Sequence, residues 1–162
     1  MRSTTPYTGS IMVMRQTRAE NYLHAHLSDR IRIISIIGKF SDIRSFPEPL
    51  PKNHKLHTFL FEDVTYPEFP DAFSQKQAKK IWRVADKAIR RNEDLLIHCE
   101  AGESRSAAIG IAIGTRYNVP VRFFEYKDML VEDWDSVPEV IKPNKLCLDY
   151  MLHSWREGRT SI

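Results

Sequence analysis

The apolar positions of this 162-residue chain follow two periods. Short aliphatic runs at residues 10–14, 31–37, 55–61 and 95–98 have the length and β-branched content of strands. The run at 31–37 has so few polar breaks that both of its faces must be covered. Helical spacing takes over between and after these runs. Ser74-Gln75-Lys76-Gln77 has the pattern of a capping box, and Ala78, Ile81, Trp82, Ala85 and Ile89 then mark one face of a helix reaching about residue 91. Thr17-Arg18-Ala19-Glu20 repeats the capping pattern and predicts a helix to about residue 27. A run of small apolar residues predicts another from 104 or 105 to about 117, and a further helix is expected over 121–131 after Pro120. The last spans 143–156, with Pro143 as its first residue and Gly158 as its stop. Strands alternating with helices imply an α/β fold, a single domain whose mainly parallel central sheet is flanked by helices. Residues 1–9 are expected to be a flexible N-terminus and 10–162 the domain. Two loops stand out, 38–53 with three prolines and 63–71, because long loops in a compact domain often carry function.

Composition narrows the setting. Hydrophobic residues at 42% and charged residues at 28% are ordinary for a globular protein. A net charge of +3 is small and scattered, so no nucleic-acid partner is expected. The first ten residues lack the apolar run of a signal peptide, and no stretch reaches the roughly 18 apolar residues of a membrane span. The two cysteines, Cys99 and Cys147, do not make a disulfide framework. These features lead us to expect a cytoplasmic monomer with no membrane association.

The chemistry concentrates in Leu95-Leu96-Ile97-His98-Cys99-Glu100-Ala101-Gly102-Glu103-Ser104-Arg105-Ser106. A strand turning tightly into a helix aims several backbone N–H groups at one point, where the helix dipole also favours an anion. Donors placed there favour the thiolate of Cys99. Arg105, six positions on, carries a planar fork that fits two oxygens of a phosphate. A cysteine closing an apolar strand is more often simply core. Here, however, the strand, Gly102, Ser106 and the following helix accompany it. Cys99 is therefore the candidate nucleophile, attacking phosphorus to form a cysteinyl-phosphate. The amides of Glu100, Ala101, Gly102, Glu103, Ser104 and Arg105 are the candidate phosphate site. No metal or cofactor is required.

The string His98-Cys99-x5-Arg105-Ser106 resembles the signature of the cysteine-dependent protein tyrosine phosphatases, in particular the compact dual-specificity-like branch with its small bacterial and viral members. Ile141-Lys142-Pro143-Asn144 resembles the Pro-Asn segment those domains carry beside the phosphate loop. The resemblance spans the chain from about residue 55 onward. It implies the protein tyrosine phosphatase or dual-specificity phosphatase fold, and a phosphorylated protein or peptide as substrate. The substrate residue would be phosphotyrosine, with phosphoserine and phosphothreonine as alternatives. It further implies that the Ser106 hydroxyl bonds the sulfur and that His98 orders the loop through hydrogen bonds. Asn144 is left with two roles, bracing the phosphate loop or capping its helix.

Such enzymes place their general acid on the loop after the strand preceding the long helix, which makes Asp63 the candidate, with Glu68 and Asp71 as alternatives on the same loop. Glu100 and Glu103 would repel phosphate if they faced inward, so both are expected to point outward. Phe40, Phe46, Tyr66 and Phe69 are loop aromatics that could line a phosphotyrosine slot. His24 with His26 and His54 with His57 lack the company of a zinc site. Cys147 lies among apolar residues of the last helix and reads as core. Two other functions remain open: a catalytically weak phosphate- or phosphoprotein-binding module, and a rhodanese-type sulfurtransferase.

Overall fold

The computed structural model describes residues 6–38, 46 and 49–160, the last four of these as backbone. A sheet of six strands holds the molecule together, in the order β3-β2-β4-β1-β5-β6. The strands are β1 (Ile11–Arg15), β2 (Ile31–Ile37), β3 (His54–Leu60), β4 (Asp94–Cys99), β5 (Val121–Phe123) and β6 (Met129–Val131). All neighbours run parallel except the β5–β6 pair. The helices are α1 (Gln16–Ala25), α2 (Gln75–Arg90), α3 (Arg105–Tyr117) and α4 (Lys145–Thr160).

The two-residue period of the strands divides the core between two faces. Met12, Met14, Ile31, Ile33 and Leu96 meet Ala19 and Leu23 of α1 on one face. Ile11, Val13, Ile34, Ile36, Leu95, Ile97 and Cys99 face α2, α3 and α4 on the other. Every residue of β2 is buried, as its unbroken apolar run requires. α3 lies so close to the sheet that a Cβ on Gly110 would come within 2.5 Å of a Val13 methyl. Asn118, in the left-handed conformation, ends this helix.

Parallel strands bring their C-terminal ends to one edge, and the start of α1 and the loops that follow β3 and β4 gather there. The Ser74 capping box forms as read: the Gln77 amide donates to Ser74 Oγ and the Ser74 amide to Gln77 Oε1. The Thr17 box does not form. β1 passes directly into α1, whose first residue Gln16 donates its amide to the Glu100 carbonyl. The expected helix at 121–131 is instead two short strands joined by a 3-10 turn at Phe124–Tyr126 and by Lys127 and Asp128, both with positive φ. Three-residue strands offer too few positions for their alternation to stand out. α4 begins at Lys145 rather than at Pro143, because the Asn144 side chain accepts the Cys147 amide and caps the helix. Its backbone continues past Gly158 to Thr160. Among the described residues, no helix is long and apolar enough to cross a membrane.

Candidate active site

β4 delivers Cys99 at its last position, opposite Arg15 of β1, with the side chain 2% exposed. The chain then doubles back through Glu100–Ser104 and enters α3 at Arg105. Gly102 makes this return possible. Its φ is +71°, and a Cβ there would lie 2.5 Å from Arg15 N and 2.7 Å from Met14 C. Folded against the end of β1, the loop aims the Gly102 amide at Cys99 Sγ, 3.2 Å away. Ser106 Oγ stands 3.0 Å from the same sulfur. The sulfur therefore has an amide and a hydroxyl beside it, at the N-terminus of a thirteen-residue helix.

Arg105 is buried. Its Nη1 donates to the Phe61 carbonyl at 2.9 Å, which fixes the guanidinium against the end of the β3 segment. Nη2 is 3.9 Å from Glu100 Oε1. Buried Nε has no partner among the described residues. A buried donor left unmatched costs roughly 1–3 kcal/mol, a cost that an anion bound along the Nε edge would relieve. Glu103 is exposed, but Glu100 is half-buried beside the guanidinium rather than directed away from it. Attraction to Arg105 outweighs the expected repulsion from an anion site. Ala101 is exposed and Ser104 half-buried.

Asp63 meets the phosphate loop directly. Its Oδ1 accepts from Ser104 Oγ at 2.8 Å and from Asn144 Nδ2 at 2.7 Å. Asn144 also donates Nδ2 to the Val64 carbonyl and its backbone amide to the Ser104 carbonyl. One residue thus caps α4 and ties together the acid loop and the phosphate loop, so the two roles left open for it coexist. Glu68 is exposed, and the Asp71 carbonyl accepts the Glu62 amide at the far end of the loop.

His98 faces the α1 side of the sheet, away from Cys99, with Phe46 edge-on to its ring at 5.2 Å. Neither ring nitrogen meets a partner at close hydrogen-bonding geometry among the described residues, although the Cys99 backbone is near enough to favour the protonated ring. Burial holds its pKa down at about 4. Cys147 is buried in the core, and burial, reinforced by Asp63, pushes its thiol up. Tyr66 and Phe69 are exposed, with their ring centres 6.1 Å apart. Phe40 lies outside the described residues. The histidines of the two pairs bond elsewhere, His26 to the Tyr22 carbonyl, His54 to the His26 carbonyl and His57 to Arg32. No group of three metal-binding side chains occurs among the described residues.

The sequence reading missed Tyr126. Burial raises its hydroxyl pKa first, and the charges of Glu103 and Cys99 raise it further, while its ring packs edge-on to Phe123. Reading 121–131 as a helix concealed this. Glu125, its neighbour, accepts the Arg15 amide and the Arg18 guanidinium, linking the β5 side of the sheet to the start of α1.

No protein-family model and no curated protein sequence matches the chain. Solved structures do. The human tyrosine phosphatase-like serine/threonine/tyrosine-interacting protein aligns over 96% of this chain and 91% of its own, with a TM-score of 0.55 and 16% identity. A mutant form of Tk-PTP aligns over 99% and 100%, with a TM-score of 0.56 and 17% identity. A mouse protein assigned as a dual specificity phosphatase, complexed with zinc tungstate, aligns over 99% and 94%, with a TM-score of 0.54 and 15% identity. At these identities the likeness is one of fold.

Proposed function

We propose that this chain, which has the fold of the compact tyrosine and dual-specificity phosphatases, hydrolyses phosphate monoesters on proteins through a cysteinyl-phosphate. Phosphotyrosine is the leading substrate, with phosphoserine and phosphothreonine as alternatives. The observation that carries the reading is the convergence on one loop of a sulfur bonded by the Gly102 amide, a buried arginine with an unmatched Nε, and a carboxylate tethered by Ser104 and Asn144.

In the first step the Cys99 thiolate attacks phosphorus. An S–P bond forms as the P–O bond to the leaving group breaks, and protonated Asp63 gives its proton to the departing oxygen. The loop amides and the Nε edge of Arg105 stabilise charge on the equatorial oxygens. In the second step water attacks phosphorus and passes a proton to the Asp63 carboxylate, the S–P bond breaks, and inorganic phosphate leaves. The Ser106 hydroxyl donates to the departing thiolate. Cys99 at the floor of a narrow cup need be little exposed, since only a ligand seated in the loop has to reach it.

A phosphate-binding module without turnover is the second reading, favoured by the occupation of Arg105 Nη1 by the Phe61 carbonyl. Rapid quench with p-nitrophenyl phosphate tests both. A burst of p-nitrophenol with phosphate trapped on Cys99 is expected, absent in Cys99→Ser, which should still bind oxyanions. Arg105→Lys should weaken binding and rate together. Asp63→Asn should slow tyrosyl phosphate far more than substrates with very acidic leaving groups. Oxyanion binding with no burst would leave the binding module, and thiosulfate turnover without phosphatase activity would point to the sulfurtransferase.

A further inference from the structure

The positive charge of this chain is not scattered. Lys76, Lys79, Lys80, Arg83, Lys87 and Arg90 occupy every fully exposed position of α2, and Arg91 extends the row. These are seven of the chain's 24 lysines and arginines, with Asp86 as the only acid among them, so the rest of a chain with net charge +3 is negative. Asp86 is already engaged, by Arg90 and by the Tyr117 hydroxyl. The other cations of the row make no ion pair among the described residues. Lys76 and Lys80, Lys79 and Arg83, Arg83 and Lys87, and Lys87 and Arg91 are like charges four residues apart, an arrangement that weakens a helix. The opposite face of α2 is well packed, through Ala78, Ile81, Trp82 and Ala85. Its exposed face maintains a repulsion that solubility alone does not require.

We infer that the exposed face of α2 is a docking surface for an acidic polypeptide segment, carried by the phosphorylated substrate. This rests on the hydrolase reading above. α2 starts at the catalytic edge, where Gln77 Nε2 donates to the Leu60 carbonyl at the end of β3, and runs away from it. At 1.5 Å per residue the row extends roughly 22 Å, the length of about six or seven residues of extended chain. The Cβ atoms of its cations three and four residues apart are about 5–6 Å from one another, less than the Debye length of about 8 Å at physiological salt, so their fields add. Near its end, Arg83, Lys87, Arg90 and Arg91 line a cleft of about 320 Å³ together with Asp86, whose charge is already met by Arg90. The row contains no exposed aromatic on which a nucleic-acid base could stack and no exposed apolar side chain to enter a membrane. A flexible acidic chain needs neither.

The test compares the full chain with the combined variant Lys79→Gln, Lys80→Gln, Arg83→Gln and Lys87→Gln. Glutamine keeps helix propensity and removes every like-charge pair named above, so the melting temperature should hold or rise. A fluorescent peptide of eight alternating Asp and Glu residues should bind the wild type at 50 mM salt. It should bind the variant at least tenfold more weakly, and the wild-type binding should vanish by 500 mM salt. A phosphotyrosine peptide joined to that segment by a flexible linker should show a KM at least tenfold below that of the same peptide without it, in the wild type alone. kcat/KM for p-nitrophenyl phosphate should be the same in both proteins. Equal peptide binding by the variant would overturn the inference. So would tighter binding of an oligonucleotide of equal charge or of phosphatidylserine vesicles. Self-association abolished in the variant would do the same, since the acidic 132–139 segment of a second copy would then be the occupant. Peptide binding without any turnover would sink the hydrolase and leave the acidic-segment surface upheld.

Discussion

Replacing Gly102 by alanine tests the geometry on which the site is built. The added Cβ would sit 2.5 Å from Arg15 N and 2.7 Å from Met14 C, both backbone atoms of β1. β1 lies inside the sheet, bonded to β4 on one side and β5 on the other, so it is the loop that must yield. Restoring an ordinary contact of about 3.5 Å requires a displacement of roughly 1 Å. The φ of +71° adds a cost of about 1–2 kcal/mol for a residue with a Cβ. Overpacking adds about 1–3 kcal/mol, for a total of roughly 2–5 kcal/mol.

The same displacement would stretch the 3.2 Å contact between the Gly102 amide and Cys99 Sγ beyond useful length. A 1 Å misplacement of reacting groups costs on the order of 100-fold in rate. Equilibrium urea unfolding should therefore show a midpoint lower by about 1–2.5 M, taking a slope of about 2 kcal/mol per M. Steady-state hydrolysis of p-nitrophenyl phosphate, measured well below the unfolding transition, should fall by about two orders of magnitude. Wild-type stability together with wild-type rate would refute the reasoning: the loop would not lie against β1, and the amide would not hold the sulfur.

Three other perturbations separate roles that the fold combines. Asn144→Asp keeps an oxygen to cap α4 but removes the donor to Asp63 Oδ1 and Val64 O and sets two carboxylates together. The α4 cap should survive, while a leaving-group series should show a rate loss of about tenfold or more confined to poor leaving groups. Glu100→Gln removes a negative charge 3.9 Å from Arg105 Nη2. Inorganic phosphate should then inhibit competitively at a concentration about twofold to fivefold lower, the modest factor expected for a partly exposed charge. His98, whose pKa burial lowers to about 4 from 6.5, must stay neutral in the fold, so its contribution is complete above pH 6.5 and is lost as the pH falls toward 4. Urea unfolding at pH 5 should show about 2 kcal/mol less stability than at pH 7 from this residue, and the difference between the two pH values should shrink by that amount in His98→Phe.

What was legible in the sequence divides by the range of the interaction behind it. β2 and α2 were read nearly to the residue, because an unbroken apolar run and a capping box before a 3.6-residue stripe are local signals. The phosphate loop was legible for the same reason, its strand, glycine, arginine and helix being contiguous. The 121–131 segment was misread, since Val121–Phe123 joins the sheet by pairing with β1, more than a hundred residues earlier, and carries the short β6 on its other side. His98 was given its loop-ordering role by the resemblance, and the local sequence did not show which way its ring points. Adjacent residues of a strand point to opposite faces, and that alternation sends its ring toward α1.

What sets Asp63 apart from Glu68 and Asp71 was not legible in the sequence, because it is a contact spanning 81 positions, from Asn144 to Asp63. That contact follows from strand order. β3 and β4 flank β2 and run parallel to it, so the chain leaving β3 and the chain leaving β4 emerge at the same edge, two strands apart. α4 packs against both α2 and α3, which brings its N-terminus to the gap between those two loops. An asparagine there can offer Oδ1 to its own helix and Nδ2 to the Asp63 loop at once, whereas an aspartate cap has no donor and a serine or threonine hydroxyl is a single short group with one proton to give. The Pro-Asn segment is therefore a joint that ties the carboxylate of Asp63 to the Cys99–Arg105 loop, and on the proposed mechanism its side-chain amide, more than its capping oxygen, is the part the chemistry would depend on.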